Sequence, residues 1–133
     1  MKLPYKINLE DKIIAITGAG GVLMSEFACA LSECGAKVAL LDINEQAVNS
    51  VAQKIGDNAL AVKCDCLNKE SVENAKREIN NKFGKVNFLI NGAGGNSPKA
   101  TCDNEYMTPD LNGAKTFFDL DISGIKFVFD LNI

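Results

Sequence analysis

The chain has 133 residues, enough for one domain with one hydrophobic core, and 47% of them are hydrophobic. Its formal net charge is −3, from 14 basic and 17 acidic residues, and it has no basic cluster of the kind that binds nucleic acid. No apolar stretch approaches the roughly 18 residues that cross a membrane, and the first residues do not form a signal peptide. We therefore expect a cytoplasmic protein without nucleic-acid or membrane partners.

The cysteine pattern gives no sign of a structural disulfide or a metal site. Five cysteines are present without the spacing of a disulfide framework, which is typical of a reduced protein. Cys64 and Cys66 are spaced like half of a metal site. Because the chain has no histidine and no second pair of this kind, we expect no metal ion.

Four short apolar runs alternate with three amphipathic stretches. The runs at 13–17, 37–42, 59–64 and 86–91 are apolar without strict alternation, which is typical of strands covered on both faces. Strands that alternate with helices predict a parallel sheet with right-handed crossovers. We therefore expect an α/β fold of the Rossmann type, an incomplete doubly wound parallel sheet of about four strands in the order 3-2-1-4.

The helices between these strands are predicted from apolar residues at the helical period. Glycines 35, 56 and 84 end the three helices, and Asn44 and Asn68 are good N-caps for the second and third. The residues predicted to face inward are Leu23, Phe27, Ala30, Leu31 and Cys34, then Ala47, Val48, Val51, Ala52 and Ile55, then Val72, Ala75, Ile79 and Phe83.

The segment 94–121 departs from this regular pattern, because it holds Pro98 and Pro109 and few periodic apolar residues. A loop of this length in a compact domain is usually functional. It follows the fourth strand at its carboxyl end, where ligands of such sheets bind, so we expect a substrate-side loop. A last helix is predicted over about 123–131.

A glycine turn lies between the first strand and the first helix. Gly18 permits a sharp turn, and Gly20 and Gly21 let a pyrophosphate approach the backbone. The helix that is predicted to begin near Leu23 directs the positive end of its dipole toward the phosphates, so Val22 and Leu23 are expected to bind the cofactor as well. Because the turn lies inside a βαβ unit, we interpret it as a dinucleotide site rather than a purely structural turn.

Two acidic residues follow the second and third strands. A carboxylate at Asp42 can accept both ribose hydroxyls of NAD and repels the 2′-phosphate of NADP, so the sequence favours NAD(H) over NADP(H). The alternative is that Asp42 only prepares the turn into the second helix. Asp65 can hydrogen-bond the adenine amino group or cap the third helix. We favour adenine, because Asn68 is better placed for the cap.

These residues together resemble the classical short-chain dehydrogenase/reductase family. Thr17–Met24 occupies the position of its cofactor turn, Thr-Gly-x-x-x-Gly-x-Gly, with Val22 and Met24 in place of the last two glycines. Asp65 matches the acid that contacts adenine in that family. The resemblance implies an enzyme that transfers a hydride between a nicotinamide cofactor and a small substrate.

Two further positions match motifs of this family. Asn-Gly-Ala-Gly at 91–94 matches the motif Asn-Asn-Ala-Gly, which stabilises the sheet beside the cofactor, so Asn91, Ala93 and Gly94 join the expected cofactor-binding residues. Asn132 falls where the family has the helix asparagine of its Asn-Ser-Tyr-Lys tetrad. The resemblance implies a catalytic role in the proton relay for Asn132, which taken alone is a residue near a helix C-terminus.

A narrower resemblance is to the D-mannonate oxidoreductase (fructuronate reductase) branch of the family. It is carried by Gly-Gly-Val-Leu at 20–23, by 89–98 and by 117–132. It implies interconversion of D-fructuronate and D-mannonate by a full-length homo-oligomer. Lys99 and Lys115 are candidate ligands for the substrate carboxylate, although solvated loop lysines are the commoner case.

The catalytic Tyr-x-x-x-Lys pair of this family does not occur in the sequence. The only tyrosines are Tyr5 and Tyr106, and Asp110 stands four residues after the latter. We therefore expect residues 1–133 to be the cofactor-binding portion of such an enzyme, truncated before the Ser/Tyr-x-x-x-Lys half and by itself inactive. The alternatives are a catalytically inactive NAD-binding module and one half of a split enzyme.

Overall fold

The computed structural model describes residues 7–106, 110 and 113–133, so the positions of Tyr5 and Pro109 lie outside the described residues. The chain divides into two compact units, Met1–Ala93 and Gly94–Ile133. The strands of the first unit are β1 (Ile13–Thr17), β2 (Lys37–Asp42), β3 (Ala59–Lys63) and β4 (Phe88–Ile90). They form one parallel sheet in the order β3-β2-β1-β4, which confirms the predicted order.

Among the described residues there are four α-helices, three in the first unit and one in the second. They are α1 (Val22–Glu33), α2 (Glu45–Ile55), α3 (Lys69–Lys82) and, in the second unit, α4 (Ile122–Asn132). The side chain of Asn44 accepts a hydrogen bond from the N–H of Ala47 at 3.2 Å, and that of Asn68 accepts one from Ser71 at the same distance. Both predicted asparagine caps are therefore confirmed, and each stabilises its helix by about 1 kcal/mol.

Strands β1 and β2 are buried on both faces, as their continuous apolar sequences predict. The same prediction is wrong for β4, because Phe88 and Leu89 are 52% and 58% exposed at the edge of the sheet. Ile14 and Ile16 of β1 pack into a cluster with α1 and α2, while Ile13 and Ala15 pack into a second cluster with α3. Side chains of successive strand residues point to opposite faces, so a strand between two helical layers needs apolar residues at every position.

The predicted inward face of α1 is correct at Leu31 and wrong at Leu23 and Phe27. Leu23 is 63% exposed and Phe27 is 46% exposed, whereas Met24, Ala28 and Leu31 pack against the core. Helix α1 is apolar around most of its circumference, so its periodicity does not identify the buried face. Ala28 is fully buried, and its small side chain suits the close approach between helix and sheet.

The prediction for Val72 of α3 is also wrong, because that side chain is 43% exposed. Ala75 and Ile79 of the same helix are buried as predicted. Val72 lines an apolar cavity of about 750 Å³ between α3 and the strands β1 and β4. The side chain therefore has an open space beside it where the pattern predicted a packing partner.

The second unit begins with irregular chain and ends with α4. It contains two short 3-10 turns, Pro98–Ala100 and Phe117–Asp119, before the helix starts at its cap, Asp121. Two hydrogen bonds join Asp103 to Lys115, one between their backbones and one from the N–H of Lys115 to the carboxylate of Asp103. In the part of the chain that the structure describes, no helix combines the length and apolar character needed to cross a membrane.

Candidate cofactor-binding site

The glycine turn after β1 needs glycine at Gly18 for two independent reasons. Its φ of +68° lies in the left-handed region, which side chains with a Cβ rarely adopt. A Cβ at this position would also lie 2.7 Å from the carbonyl oxygen of Gly92. The turn is therefore tight, and it packs directly against the backbone that follows β4.

The carboxylate of Asp42 accepts hydrogen bonds from the backbone of two turns, the one between β1 and α1 and the one between β2 and α2. Its Oδ2 accepts a hydrogen bond from the N–H of Gly20 at 3.0 Å, and its Oδ1 accepts one from Asn44 at 2.9 Å. The second bond shows that Asp42 does prepare the turn into α2. The bond to Gly20 was not predicted. Each carboxylate oxygen has two lone pairs, so these bonds leave capacity for ribose hydroxyls.

Gly20 fits closely between β2 and α2. A Cβ at this position would lie 2.7 Å from the Cβ of Ala47 and 3.1 Å from Oδ2 of Asp42. The absence of a side chain lets the backbone reach the carboxylate. Gly20 therefore brings the glycine turn and the acidic end of β2 together.

The first turn of α1 presents backbone N–H groups toward open space. Its N-cap is Gly21, which has no side chain to occupy those groups, and Val22 and Leu23 are 89% and 63% exposed. The first N–H groups of a helix have no acceptor within the helix and carry the positive end of its dipole. This arrangement can bind an anion such as a pyrophosphate.

The end of β1 is tied to the end of β4 by a single threonine. Oγ1 of Thr17 accepts hydrogen bonds from the N–H groups of Gly92, at 3.0 Å, and Ala93, at 3.1 Å. Asn91 is exposed and lines the cavity beside α3, to which Thr17 also contributes. Sequence reasoning did not single out the hydroxyl of Thr17, although its place just before the turn is visible in the sequence.

Met24 and Gly92 share one volume. A Cβ added to Gly92 would overlap Cγ and Sδ of Met24, and it would lie 2.7 Å from the carbonyl oxygen of Thr17. The long side chain of Met24 is therefore accommodated because residue 92 has none. The sequence signal was that Met24 departs from a glycine in one motif while Gly92 departs from an asparagine in the other.

Asp65 lies at the same edge of the sheet as Asp42. The N–H of Cys64 donates to the carbonyl oxygen of Asp42 at 2.8 Å, which joins the ends of β2 and β3. Oδ1 of Asp65 accepts a hydrogen bond from Leu67 at 2.9 Å, so this side chain organises its own turn while Asn68 caps α3.

The thiols of Cys64 and Cys66 flank Asp65. Cys64 is buried and Cys66 is exposed, and partial burial raises the pKa of both thiols. No group of three or more histidine, cysteine, aspartate or glutamate side chains arranged to hold a metal occurs among residues 7–106, 110 and 113–133.

Asn132, in the second unit, clamps the chain at its start. Its Oδ1 accepts a hydrogen bond from the N–H of Gly95 at 3.1 Å, and its Nδ2 donates to the carbonyl oxygens of Gly95, at 2.8 Å, and Val128, at 2.7 Å. A Cβ on Gly94 would lie 2.8 Å from Oδ1 of Asn132, so a larger residue there would displace this amide. Asn132 is the last residue of α4, as its sequence position taken alone predicted.

Comparisons with known proteins agree with this geometry. The family described as short chain dehydrogenase matches residues 12–132. The chain is 50% identical to an uncharacterized oxidoreductase of Haemophilus influenzae, over 99% of this chain and 48% of that protein. It is 41% identical to an uncharacterized oxidoreductase of Bacillus subtilis, over 98% of this chain and 48% of that protein. The chain thus spans about half the length of these curated relatives.

A solved structure matches the fold closely. It is the NAD-bound crystal structure of a provisionally assigned D-mannonate oxidoreductase from Haemophilus influenzae, with a TM-score of 0.91 and 52% sequence identity. The match covers 95% of this chain and 46% of that chain. The parallel sheet order, the glycine turn at the start of α1 and the family match over 12–132 together establish that the chain belongs to the short-chain dehydrogenase family of oxidoreductases.

Proposed function

We propose that this chain is the NAD(H)-binding portion of an oxidoreductase that interconverts a keto sugar acid and its alcohol, D-fructuronate and D-mannonate. The observation that carries the cofactor assignment is the hydrogen bond between Gly20 and Asp42, which sets a carboxylate beside the glycine turn. The substrate assignment is supported by similarity to the Haemophilus influenzae protein that bears the D-mannonate oxidoreductase name.

The residues present fit a dinucleotide. Gly18 permits the tight turn and Gly20 lets its backbone reach Asp42, while the exposed first turn of α1, at Val22 and Leu23, has N–H groups without helical acceptors that can bind a pyrophosphate. When bound, the nicotinamide supplies the hydride chemistry. The chain itself binds and orients the two phosphates.

The choice of NAD(H) over NADP(H) is assigned to Asp42. Its carboxylate accepts ribose hydroxyls with the lone pairs that the Gly20 and Asn44 bonds leave, and its negative charge repels a 2′-phosphate. Asp65, at the same sheet edge, is assigned to the adenine amino group.

The remaining assigned residues lie at and after the end of β4. Asn91 and Ala93 hold the sheet beside the cofactor, together with Gly94. Asn132 is assigned to the proton relay, where its bonds to Gly95 and Val128 fix the orientation of its amide.

Turnover needs groups that the 133 residues do not contain. The sequence has no Tyr-x-x-x-Lys pair, so this chain by itself binds NAD(H) without reducing a substrate. The absence of this pair is also what we would expect of an inactive NAD-binding module, or of one half of a split enzyme. The full-length form is proposed to act in the cytoplasm as a homo-oligomer.

Calorimetric titration of the chain with NAD+ and NADP+ tests the cofactor assignment. We expect NAD+ to bind at least about tenfold more tightly, and Asp42→Asn to narrow that ratio by removing the repelling charge. Asp57→Asn, at an exposed acid in the turn after α2, is the control and should leave the ratio unchanged. Tighter binding of NADP+, or no binding of either nucleotide, would overturn the proposal.

A further inference from the structure

An open cavity of about 480 Å³ lies within the second unit. Its walls include Asn96, Ser97, Thr101, Asp103 and Lys115. Its volume falls in the range of small-molecule sites, about 300–1,000 Å³.

Lys115 brings a positive charge to this cavity, and hydrogen bonds between its backbone and Asp103 hold the residue in place. Its N–H donates to Oδ2 of Asp103 at 2.7 Å, and its carbonyl oxygen accepts from the N–H of Asp103 at 2.9 Å. The half-buried side chain reaches the carbonyl oxygen of Pro98, to which Nζ donates. An ammonium has three donors, so this bond leaves capacity for an anionic ligand.

Lys99, the other lysine of the loop, is arranged differently. Its Nζ lies 3.9 Å from Oδ2 of Asp121, the cap of α4, and its side chain is 66% exposed. It does not line the cavity. The sequence offered both lysines as carboxylate ligands, and the structure separates them into one that faces a cavity and one that pairs with a helix cap.

The other walls suit hydroxyl groups. Oδ1 of Asn96 accepts a hydrogen bond from Ser97 at 2.8 Å, which directs the amide as a donor. Oγ1 of Thr101 donates to the carbonyl oxygen of Ser97 at 2.8 Å and so remains an acceptor. Asp103 adds a carboxylate that can accept from hydroxyls. One cation with several hydroxyl-binding groups matches an acid that carries many hydroxyls.

We propose that this cavity binds the acid end of a small polyhydroxy carboxylic acid, with Lys115 as the residue that pairs with its carboxylate and sets its specificity. The inference rests on the proposed function, because it names where the sugar acid of that function is held. Lys99 takes no part in binding.

Titration of the chain with D-mannonate and with D-mannitol, followed by NMR, tests this site. Mannitol has the same number of carbons and a hydroxymethyl group in place of the carboxylate. We expect mannonate to bind at least about tenfold more tightly, and Lys115→Gln to remove most of that difference. Lys99→Gln is the matched control and should change the affinity by less than about twofold.

Two further measurements keep the result decisive. Lys115→Arg retains the charge and should retain preference for mannonate, and the melting temperature of each variant reports whether the unit is folded. Equal binding of the two probes, an unaffected Lys115→Gln variant or an equal loss in Lys99→Gln would overturn the inference. The affinity for NAD+ is measured on the same samples. If the unmodified chain does not bind NAD+, the proposed function is refuted. If it binds NAD+ but does not prefer mannonate to mannitol, only the proposed carboxylate site is refuted.

Discussion

The carboxylate of Asp42 holds the backbone N–H of Gly20 at 3.0 Å, although the two residues lie 22 positions apart in the chain. The acid that is expected to recognise the ribose therefore also shapes the turn that is expected to hold the phosphates. Because one side chain serves both parts, a change at Asp42 alone mixes a binding effect with a structural one. The packing of Gly20 against Ala47 offers a test of the turn that leaves the charge of Asp42 unchanged.

Gly20→Ala should lower the free energy of unfolding by about 1–3 kcal/mol, because its Cβ would be forced against Ala47 and Asp42. The double variant Gly20→Ala/Ala47→Gly removes the closer clash and should lose less than the sum of the two single variants. Urea unfolding of the four proteins measures this coupling. Strict additivity would show that Gly20 and Ala47 do not share the space.

Met24 and Gly92 should behave as a coupled pair. Gly92→Ala is expected to destabilise the chain, and Met24→Ala in the same molecule should recover part of that loss by freeing the space beside residue 92. Recovery stays partial, since the carbonyl oxygen of Thr17 also crowds the new Cβ. A double-mutant cycle in urea should give a coupling of about 0.5–3 kcal/mol. A coupling near zero would contradict the shared volume.

Asn132→Leu should loosen the backbone at Gly95. It removes an acceptor for the N–H of Gly95 and the donor to its carbonyl oxygen, while the volume of the side chain is kept. Amide hydrogen exchange at Gly95 should become at least about tenfold faster if the bond closes that amide by about 1.4 kcal/mol or more. Asn104→Leu, on an exposed side chain of the same unit, is the control. Unchanged exchange at Gly95 would show that the clamp is absent in solution.

The two thiols beside Asp65 should be alkylated in different conditions. Burial raises the pKa of Cys66, so its reaction with iodoacetamide, which needs the thiolate, should increase with pH beyond the ordinary thiol range. Cys64 is buried and should react only after denaturant is added. Mass spectrometry of peptides labelled over a pH series measures both, with Cys66→Ser as control. Rapid labelling of Cys66 at neutral pH would contradict the raised pKa.

The edge strand β4 should cause the chain to self-associate. Phe88 and Leu89 are 52% and 58% exposed, and an edge with apolar side chains and unpaired backbone groups pairs readily with another copy. Sedimentation velocity should show association that grows with concentration, and Leu89→Lys should reduce it. Ile43→Lys, a similar change at an exposed residue that follows β2 and lies outside β4, serves as the control. A monomer at all concentrations would refute this prediction.

Much of the first unit could be predicted from the sequence because its signals are local. Glycine at the end of a helix and asparagine at its start act on backbone groups of the same segment. The caps Asn44 and Asn68 could therefore be identified correctly from the sequence. The face of α1 was not, because Leu23 and Phe27 are as apolar as the residues that are buried. The packing of Met24 beside Gly92 is one contact that distinguishes the buried face, and it joins residues far apart in the chain.

In the candidate site, too, the local signals could be predicted from the sequence and the contacts between distant residues could not. The glycines and Asp42 could be identified from the pattern of a βαβ unit. The bond from Gly20 to Asp42, the double acceptor at Thr17 and the difference between Lys99 and Lys115 depend on distances that no spacing in the sequence encodes.

The pairing of Asp103 with Lys115 has a consequence for how such a chain can vary. These two residues fix the ends of the segment between them, so the cavity walls on either side keep their positions whatever that segment contains. The entropy of closing a loop grows only with the logarithm of its length, about 0.6 kcal/mol for each doubling. Insertions and deletions between 103 and 115 should therefore cost little stability, and homologous proteins can change the length of this segment while they retain the pairing of the two residues that bound it.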